Sequence, residues 1–185
     1  MQIQKEEIRM QIIDAALDEF SVHGYKKVTM KNIAQKAGIT AGNIYAYFPS
    51  KEALLKCLLE DAVTTLKEVI YDTITPGILP LNIEEYSHNL VEKYMQIRKP
   101  FLIIINGCEG SNFENIKSSL IELACQRIIA AFPDKFSGIA AEAIVVALIN
   151  GIIYIFIQCN HDFELFSLTL TKYLEFMIGN LFSGN

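Results

Sequence analysis

The sequence predicts an all-α protein, and two observations support that fold class. Apolar residues recur at intervals of three and four along most of the 185-residue chain, which is the spacing of one face of a helix. No long stretch alternates apolar and polar residues in the way that indicates a β-strand. Because 51% of the residues are apolar, the chain can build a sizeable core.

The first helix is predicted over residues 5–22. Gly24 follows it and suits the left-handed conformation that commonly ends a helix. The face expected to be buried consists of residues spaced four apart: Ile8, Ile12, Ala16 and Phe20.

Two short helices are predicted next, over 30–37 and 41–48. Thr29 and Thr40 precede them and can cap their free N–H groups with a side-chain oxygen. Gly38 separates the two helices.

The rest of the chain is expected to form longer helices. Pro49 ends the third helix, and Ser50 caps a fourth that extends to about Ile74, before Thr75-Pro76-Gly77. Breaks are expected at Pro100, at 107–112, at Pro133-Asp134 and at Asn160-His161-Asp162. The further helices are predicted near 82–98, 100–107, 114–132, 137–159 and 162–182.

The two short helices have the spacing of a helix-turn-helix. Ala34 is small where the helices would cross, Gly38 tolerates a positive φ in the turn, and Ile44 is branched and apolar on the inner face. An ordinary helical hairpin is the alternative. We therefore expect a three-helix helix-turn-helix domain over 1–50 and a second helical domain over 51–185.

Charge is unevenly distributed. The segment from Phe20 to Lys56 holds six lysines and one acid, Glu52, a net charge of +5. The whole chain carries −5, so the remainder carries −10. A basic patch on an acidic body is typical of a local phosphate-binding surface, although a solvated face with a chance cluster of lysines would look the same.

The string IYAYFPSKEAL at 44–54, preceded by TMKNIAQKAGIT at 29–40, closely resembles the N-terminal domain of the tetracycline-repressor (TetR/AcrR-type) family of transcriptional regulators. The resemblance covers roughly residues 8–59. It implies a DNA-binding helix-turn-helix, followed by a helical domain that binds an effector and forms a homodimer.

The resemblance also implies which residues contact DNA. Tyr45 is the expected phosphate contact, and Tyr47 lies about 200° away around the helix axis, with a core position as its alternative. Lys51 and Thr29, each at a helix start, are expected to hold phosphates. Lys31, in the basic segment, completes the predicted phosphate-binding set.

Base reading is expected from the first turn of the third helix. Asn43 can make a bidentate contact to adenine. Ala41 departs from the family, which often has Lys or Arg there, so this position can offer only apolar contact. The predicted base-reading residues are Thr40, Ala41, Gly42 and Asn43.

The segment 139–159 is apolar over 21 residues and carries one charge, Glu142. This length could span a membrane, but a helix that is apolar all round can also be buried in a protein. The resemblance implies the second reading, in which the last two helices pair with their copies. The predicted dimerisation residues are Ala140, Ala143, Ala147, Gly151, Phe166, Leu170 and Tyr173.

An effector cavity is expected among the middle helices, where aromatic and polarizable residues gather, although each could be plain core. The segment 106–111 is either a mobile entrance or a turn, and Glu109 is a candidate contact for a cationic ligand. The candidate ligand-binding residues are Tyr86, Tyr94, Phe101, Cys108, Phe113 and Tyr154.

No catalytic, cofactor or metal motif is visible, so we expect no enzyme activity, no cofactor and no bound metal. Four widely spaced cysteines and a charged N-terminus that is not typical of a secretory leader indicate a reduced, cytoplasmic protein. Cys108 is the best candidate for a redox role.

These observations together predict a ligand-responsive transcriptional regulator. We expect a repressor that binds a palindromic operator in double-stranded DNA as a homodimer and is released by a small apolar or amphipathic effector, with an activator left open. The alternative is a membrane-associated protein that uses helix 139–159. An enzyme is the third reading.

Overall fold

The computed structural model describes residues 2–73, 82–133, 138–160 and 162–182. In these ranges the protein forms α-helices and one short 3-10 helix, without a β-strand, so the predicted all-α class is confirmed. The elements are α1 (Gln2–His23), α2 (Met30–Lys36), the 3-10 helix (Asn43–Ala46), α3 (Lys51–Thr73), α4 (Ile83–Gln96), α5 (Arg98–Asn106), α6 (Ile116–Ala131), α7 (Gly138–Gln158) and α8 (Phe163–Phe182).

The third predicted helix differs from the prediction. Instead of an α-helix over 41–48, the chain makes a turn at 41–42 and a 3-10 helix over Asn43–Ala46. Gly42 disfavours an α-helix at its start, and Pro49 disfavours the helical conformation at Phe48, so too few residues remain for a regular helix. The predicted breaks at 74–77, Asp134 and His161 lie outside the described residues.

Pro100 does not separate two helices as predicted. The break lies at Ile97, whose backbone (φ −101°, ψ 18°) is non-helical, and α5 begins at Arg98. Pro100 is the third residue of α5, where the first-turn N–H groups have no partner within the helix. Its missing N–H therefore costs the helix nothing.

The described chain divides into two compact units. The first contains the residues up to Thr64 together with Ile97–Lys117, and the second contains Thr65–Gln96 with the residues from Ser118 onward. The predicted domain boundary at residue 50 separates functional domains and not compact units, so this division does not test it. The boundary stays a prediction. The segment 97–117, from the second half of the sequence, folds as part of the N-terminal unit.

Each unit has its own core. In the first unit, α1 contributes Ile12 and Phe20. Both are fully buried, as predicted from the series of apolar residues spaced four apart. In the second, an aromatic cluster joins α4, α7 and α8: the ring centroid of Phe156 lies 6.2 Å from that of Tyr94 and 5.7 Å from that of Phe166. Burial of such large apolar side chains is the main favourable term in the stability of each unit.

Candidate nucleic-acid interface

The helix-turn-helix frame is built as its spacing predicts. Ala34 and Ile44 are almost fully buried, so α2 and the 3-10 helix pack closely through them. Gly38 has a φ of +70°, the left-handed conformation that glycine adopts without strain. The N–H of Ile39 donates to the carbonyl of Ala34 at 3.0 Å and closes the turn after α2.

The three predicted caps are also present. The Oγ1 of Thr29 accepts from the N–H of Asn32 at 3.2 Å, and its hydroxyl donates to the side-chain oxygen of the same residue. Ser50 Oγ accepts from the N–H of Ala53 at 3.0 Å, which caps α3. The Oγ1 of Thr40 accepts from the N–H of Asn43 at 3.3 Å, which fixes the turn before the 3-10 helix.

The predicted base-reading residues form one continuous exposed turn. All four residues from Thr40 to Asn43 are exposed, while Ile44, directly after them, is buried. Tyr45 is 54% exposed and Tyr47 is half-buried, as expected for two side chains on different sides of a short helix. Lys31 is exposed on α2. The frame therefore exposes a polar turn, a phenol and an ammonium group, which are groups that can bind base edges and phosphates.

Lys51 lies in a different environment from the one expected of a phosphate contact. Its Nζ donates to the carbonyls of Tyr25 at 2.8 Å and of Val28 at 2.9 Å, and it lies 3.9 Å from the centroid of the Tyr25 ring. Burial lowers the pKa of this ammonium. Since two of its three N–H groups bind the turn between α1 and α2, Lys51 holds that turn against the start of α3.

Ion pairs occupy part of the predicted basic patch. Lys36 lies 3.2 Å from Glu19 and 3.5 Å from Asp18. Lys26 lies 2.7 Å from Glu109, and this pair raises the pKa of the lysine and lowers that of the glutamate. Glu109 therefore has a cationic partner within the chain, so the suggested contact with a cationic ligand has no support from the geometry.

Glu52 and Tyr25 form a junction that the sequence analysis missed. The Tyr25 hydroxyl donates to Glu52 Oε2 at 2.6 Å, and the backbone N–H of Asn112 donates to Glu52 Oε1 at 2.8 Å. Burial and the Glu52 carboxylate raise the pKa of Tyr25 to about 12. The available signal was that Glu52 is the single acid in a segment with six lysines.

Segment 107–113 consists of turns held by hydrogen bonds of their own. The side-chain oxygen of Ser111 donates to the carbonyl of Cys108 at 2.7 Å and accepts from the N–H of Phe113 at 3.0 Å. Burial raises the pKa of the Cys108 thiol to about 11, with a smaller contribution from the Glu52 charge. Because the thiolate is the reactive form, this shift argues against a redox role for Cys108.

The candidate ligand-binding residues fall into both units. Tyr94 is buried and packs against Phe166, with ring centroids 6.4 Å apart, whereas Tyr154 is 65% exposed. The second unit contains Tyr86, Tyr94 and Tyr154. The first unit contains Phe101, Cys108 and Phe113. A ligand-binding role for these six residues stays a prediction.

The predicted dimerisation residues are of two kinds. Ala140, Ala143 and Ala147 are exposed on α7, where a second chain could reach them. Phe166 and Leu170 are buried in the core of their own unit, because they lie on the side of α8 that packs within the chain. Gly151 and Tyr173 contact each other within one chain. These last four residues therefore have contacts within the second unit, and a dimerisation role for all seven residues stays a prediction.

Among the described residues, no group of three His, Cys, Asp or Glu side chains is arranged to hold a metal ion. One described helix, α7, is long and apolar enough to cross a membrane.

A sequence model of the family described as "Bacterial regulatory proteins, tetR family" matches residues 12–58, which span the whole helix-turn-helix. Residues 12–58 therefore form a DNA-binding domain of the tetR-family type. The resemblance inferred from the sequence is confirmed.

Individual relatives support this assignment. "Fatty acid metabolism regulator protein" of Bacillus subtilis (strain 168) is 26% identical over 191 residues, covering 86% of this chain and 98% of that protein. "HTH-type transcriptional regulator SrpR" of Pseudomonas putida is 44% identical over 54 residues, covering 29% of this chain and 25% of that protein. The crystal structure of a TetR-family transcriptional regulator from Bordetella parapertussis 12822 has the same fold, with a TM-score of 0.70 at 18% identity, covering 96% of this chain and 95% of that one.

The chain is therefore a ligand-responsive, DNA-binding transcriptional regulator. Members of the family bind DNA and small-molecule effectors and act as dimers, and they are soluble. The relatives are regulators, which are not enzymes. The alternative of a membrane-associated protein receives no support.

Proposed function

We propose that this regulator is a cytoplasmic, non-enzymatic repressor that binds a palindromic operator as a homodimer and is released by a small apolar or amphipathic effector. The observation that carries the proposal is the exposed turn Thr40–Asn43, held on a helix-turn-helix frame whose crossing residues are buried. An exposed polar turn on such a frame is what enters the major groove in this class of domain.

The chemistry of the turn suggests how bases are read. The carboxamide of Asn43 can donate to and accept from one adenine in the major groove. Ala41 offers a methyl group, which fits the methyl group of thymine. Tyr45 and Lys31, both exposed, would contact phosphates and fix the register without reading sequence. Thr29 would place its helix start against another phosphate.

The proposal requires two copies, because one small reading module binds weakly. The second unit exposes apolar side chains along α7 and α8, with Ile139 at 85% and Leu168 at 56% exposure. Together with the exposed alanines of α7, they form a face that a second copy can cover. This face also accounts for the apolar character of α7 without a membrane.

The effector is proposed to be apolar or amphipathic, because the interior residues of the second unit are aliphatic and aromatic. The name of the Bacillus subtilis relative refers to fatty acid metabolism. Fatty acids are therefore the first compounds to test. A ligand releases the operator only if it binds the released state more tightly than the bound one.

The test is a selection of duplexes from random sequence, followed by titration of the selected operator at two salt concentrations. We expect Asn43→Ala to weaken the selected operator but not random DNA, by about 1–3 kcal/mol. Tyr45→Phe should weaken both to the same extent. Lys31→Gln should weaken both and reduce the salt dependence by about one phosphate contact.

Lys67→Gln is the matched control, because Lys67 is exposed on α3 in the second unit and the change in net charge is the same. It should leave operator affinity almost unchanged. A selection that yields no preferred sequence with the wild-type protein would reject the proposal. Operator that stays bound in the presence of every fatty acid tested would reject this effector class alone.

A further inference from the structure

Segment 107–113 lies against the turn that joins α1 to α2. The N–H of Tyr25 donates to the carbonyl of Gly107 at 2.7 Å, and Lys26 pairs with Glu109 at 2.7 Å. A Cβ at Gly107 would lie 3.2 Å from the carbonyl oxygen of Phe20, so the two backbones meet closely. This segment is therefore a built part of the DNA-binding unit.

Glu52 joins this segment to Tyr25, in the turn between α1 and α2, through both of its carboxylate oxygens. One oxygen accepts from the Tyr25 hydroxyl at 2.6 Å and the other from the Asn112 N–H at 2.8 Å. A carboxylate can accept on both oxygens at once, and hydrogen bonds to a charged acceptor are stronger than neutral ones. Glu52 is half-buried, which limits the competition from water.

The neighbouring Lys51 fastens the other end of the same turn. Its Nζ binds the carbonyls of Tyr25 and Val28, and Val28 is followed directly by the cap of α2 at Thr29. The position of α2 relative to the start of α3 thus depends on two adjacent side chains. Of these, Glu52 alone also holds segment 107–113.

We propose that Glu52 is a positioning residue for operator binding, which clamps segment 107–113 onto the α1–α2 turn and so fixes α2 and the exposed turn Thr40–Asn43 for entry into the groove. Glu52 touches no base or phosphate in this proposal and acts through Tyr25. The inference rests on the proposed function, because it concerns affinity for the selected operator.

The test compares Glu52→Gln with Glu109→Gln. Both changes remove one negative charge from the unit that contains the helix-turn-helix, and simple electrostatics predicts slightly tighter DNA binding for both. A glutamine at 52 presents an NH2 group in place of one carboxylate oxygen and carries no charge, so Tyr25 and Asn112 can no longer each donate to a charged oxygen of their own. We expect Glu52→Gln to bind the operator about tenfold more weakly, which corresponds to about 1.4 kcal/mol. Glu109→Gln should bind as tightly as the wild type or more tightly, because the exposed Lys26–Glu109 pair contributes little to holding the segment.

Tyr25→Phe provides a milder second variant that keeps the half-buried ring. Its loss of affinity should be no larger than that of Glu52→Gln, and the double variant should lose no more than Glu52→Gln alone, because the Tyr25 hydroxyl acts through Glu52. The salt dependence should stay unchanged, because no phosphate contact is removed. Amide exchange at Asn112 should accelerate in Glu52→Gln, which a simple change of charge would not cause.

Operator affinity equal to wild type in a folded Glu52→Gln variant would overturn the inference. Additive losses in the double variant would also overturn it. Failure of the wild type to select any operator is a different result, because that outcome rejects the proposed function itself.

Discussion

At the scale of single residues, position 151 must be glycine because the Tyr173 side chain of α8 lies directly against its backbone in α7. A Cβ at Gly151 would lie 2.2 Å from the Oη and 2.3 Å from the Cζ of Tyr173. The same hydroxyl lies 2.9 Å from the carbonyl of Ala147 and 3.2 Å from that of Leu148. The sequence predicts a small residue at 151 for close helix packing, and it cannot show that the neighbour is a side chain of the same chain.

Gly151→Ala should therefore destabilise the protein. Alanine gains about 1 kcal/mol over glycine in helix propensity, but displacing the ring should cost about 1–3 kcal/mol and the hydroxyl contacts as well. Urea unfolding measures the net change. In a Tyr173→Ala background the overlap is gone, so the same Gly151→Ala change should be neutral or stabilising. Destabilisation of equal size in both backgrounds would contradict this explanation.

Tyr25 makes the free energy of unfolding depend on pH in the alkaline range. Its pKa rises from 10.0 to about 12 in the folded protein, so folding favours the neutral phenol. Its contribution is fully present below pH 10 and is lost as the pH rises through about 12. We expect the free energy of unfolding to fall over this range, and to fall less steeply in Tyr25→Phe. Parallel curves for the two proteins would show that Tyr25 is not the group responsible.

At the scale of elements, the turn after α2 follows directly from local sequence. Gly38 adopts φ +70°, and nothing lies within 4 Å of the position that a Cβ would take. The cost of a side chain there is therefore purely conformational. Gly38→Ala should destabilise by about 1–2 kcal/mol, and Gly38→Asn by less, because asparagine tolerates this conformation better. Thermal unfolding of both variants checks the order, and equal losses would point to a cause other than backbone conformation.

Local signals of this kind explain why the helix-turn-helix could be predicted. The caps at Thr29 and Ser50 and the breaks at Gly38 and Pro49 each act over a few residues. The junction of Glu52 with Asn112 joins residues 60 positions apart. No periodicity encodes such a contact, so segment 106–111 could be an entrance or a turn until its partners were known.

At the scale of the whole molecule, helix periodicity predicts which face of a helix is apolar. It does not predict whether that face is covered by the same chain or stays exposed. The long apolar run at 139–159 predicts burial all round, whereas α7 buries Ala141, Val145 and Phe156 and exposes Ile139 and Tyr154. For α8 the sequence predicts the intermolecular set without showing which of its residues are already buried within the chain. Phe166 and Leu170 pack inside the chain, while Leu168, two residues away from each, is exposed.

The exposed face of α7 and α8 predicts the oligomeric state. Leu168→Glu places a charge where a second copy would have to bury it, and an unpaired buried charge is strongly unfavourable. The variant should sediment as a monomer and lose operator affinity, since two linked reading modules become independent. Val22→Glu is the control: it adds the same charge at an exposed valine of α1, in the first unit, and should remain dimeric. If Leu168→Glu sediments as a dimer with unchanged operator affinity, the interface lies on another surface, and the exposed apolar residues of α7 need a different explanation.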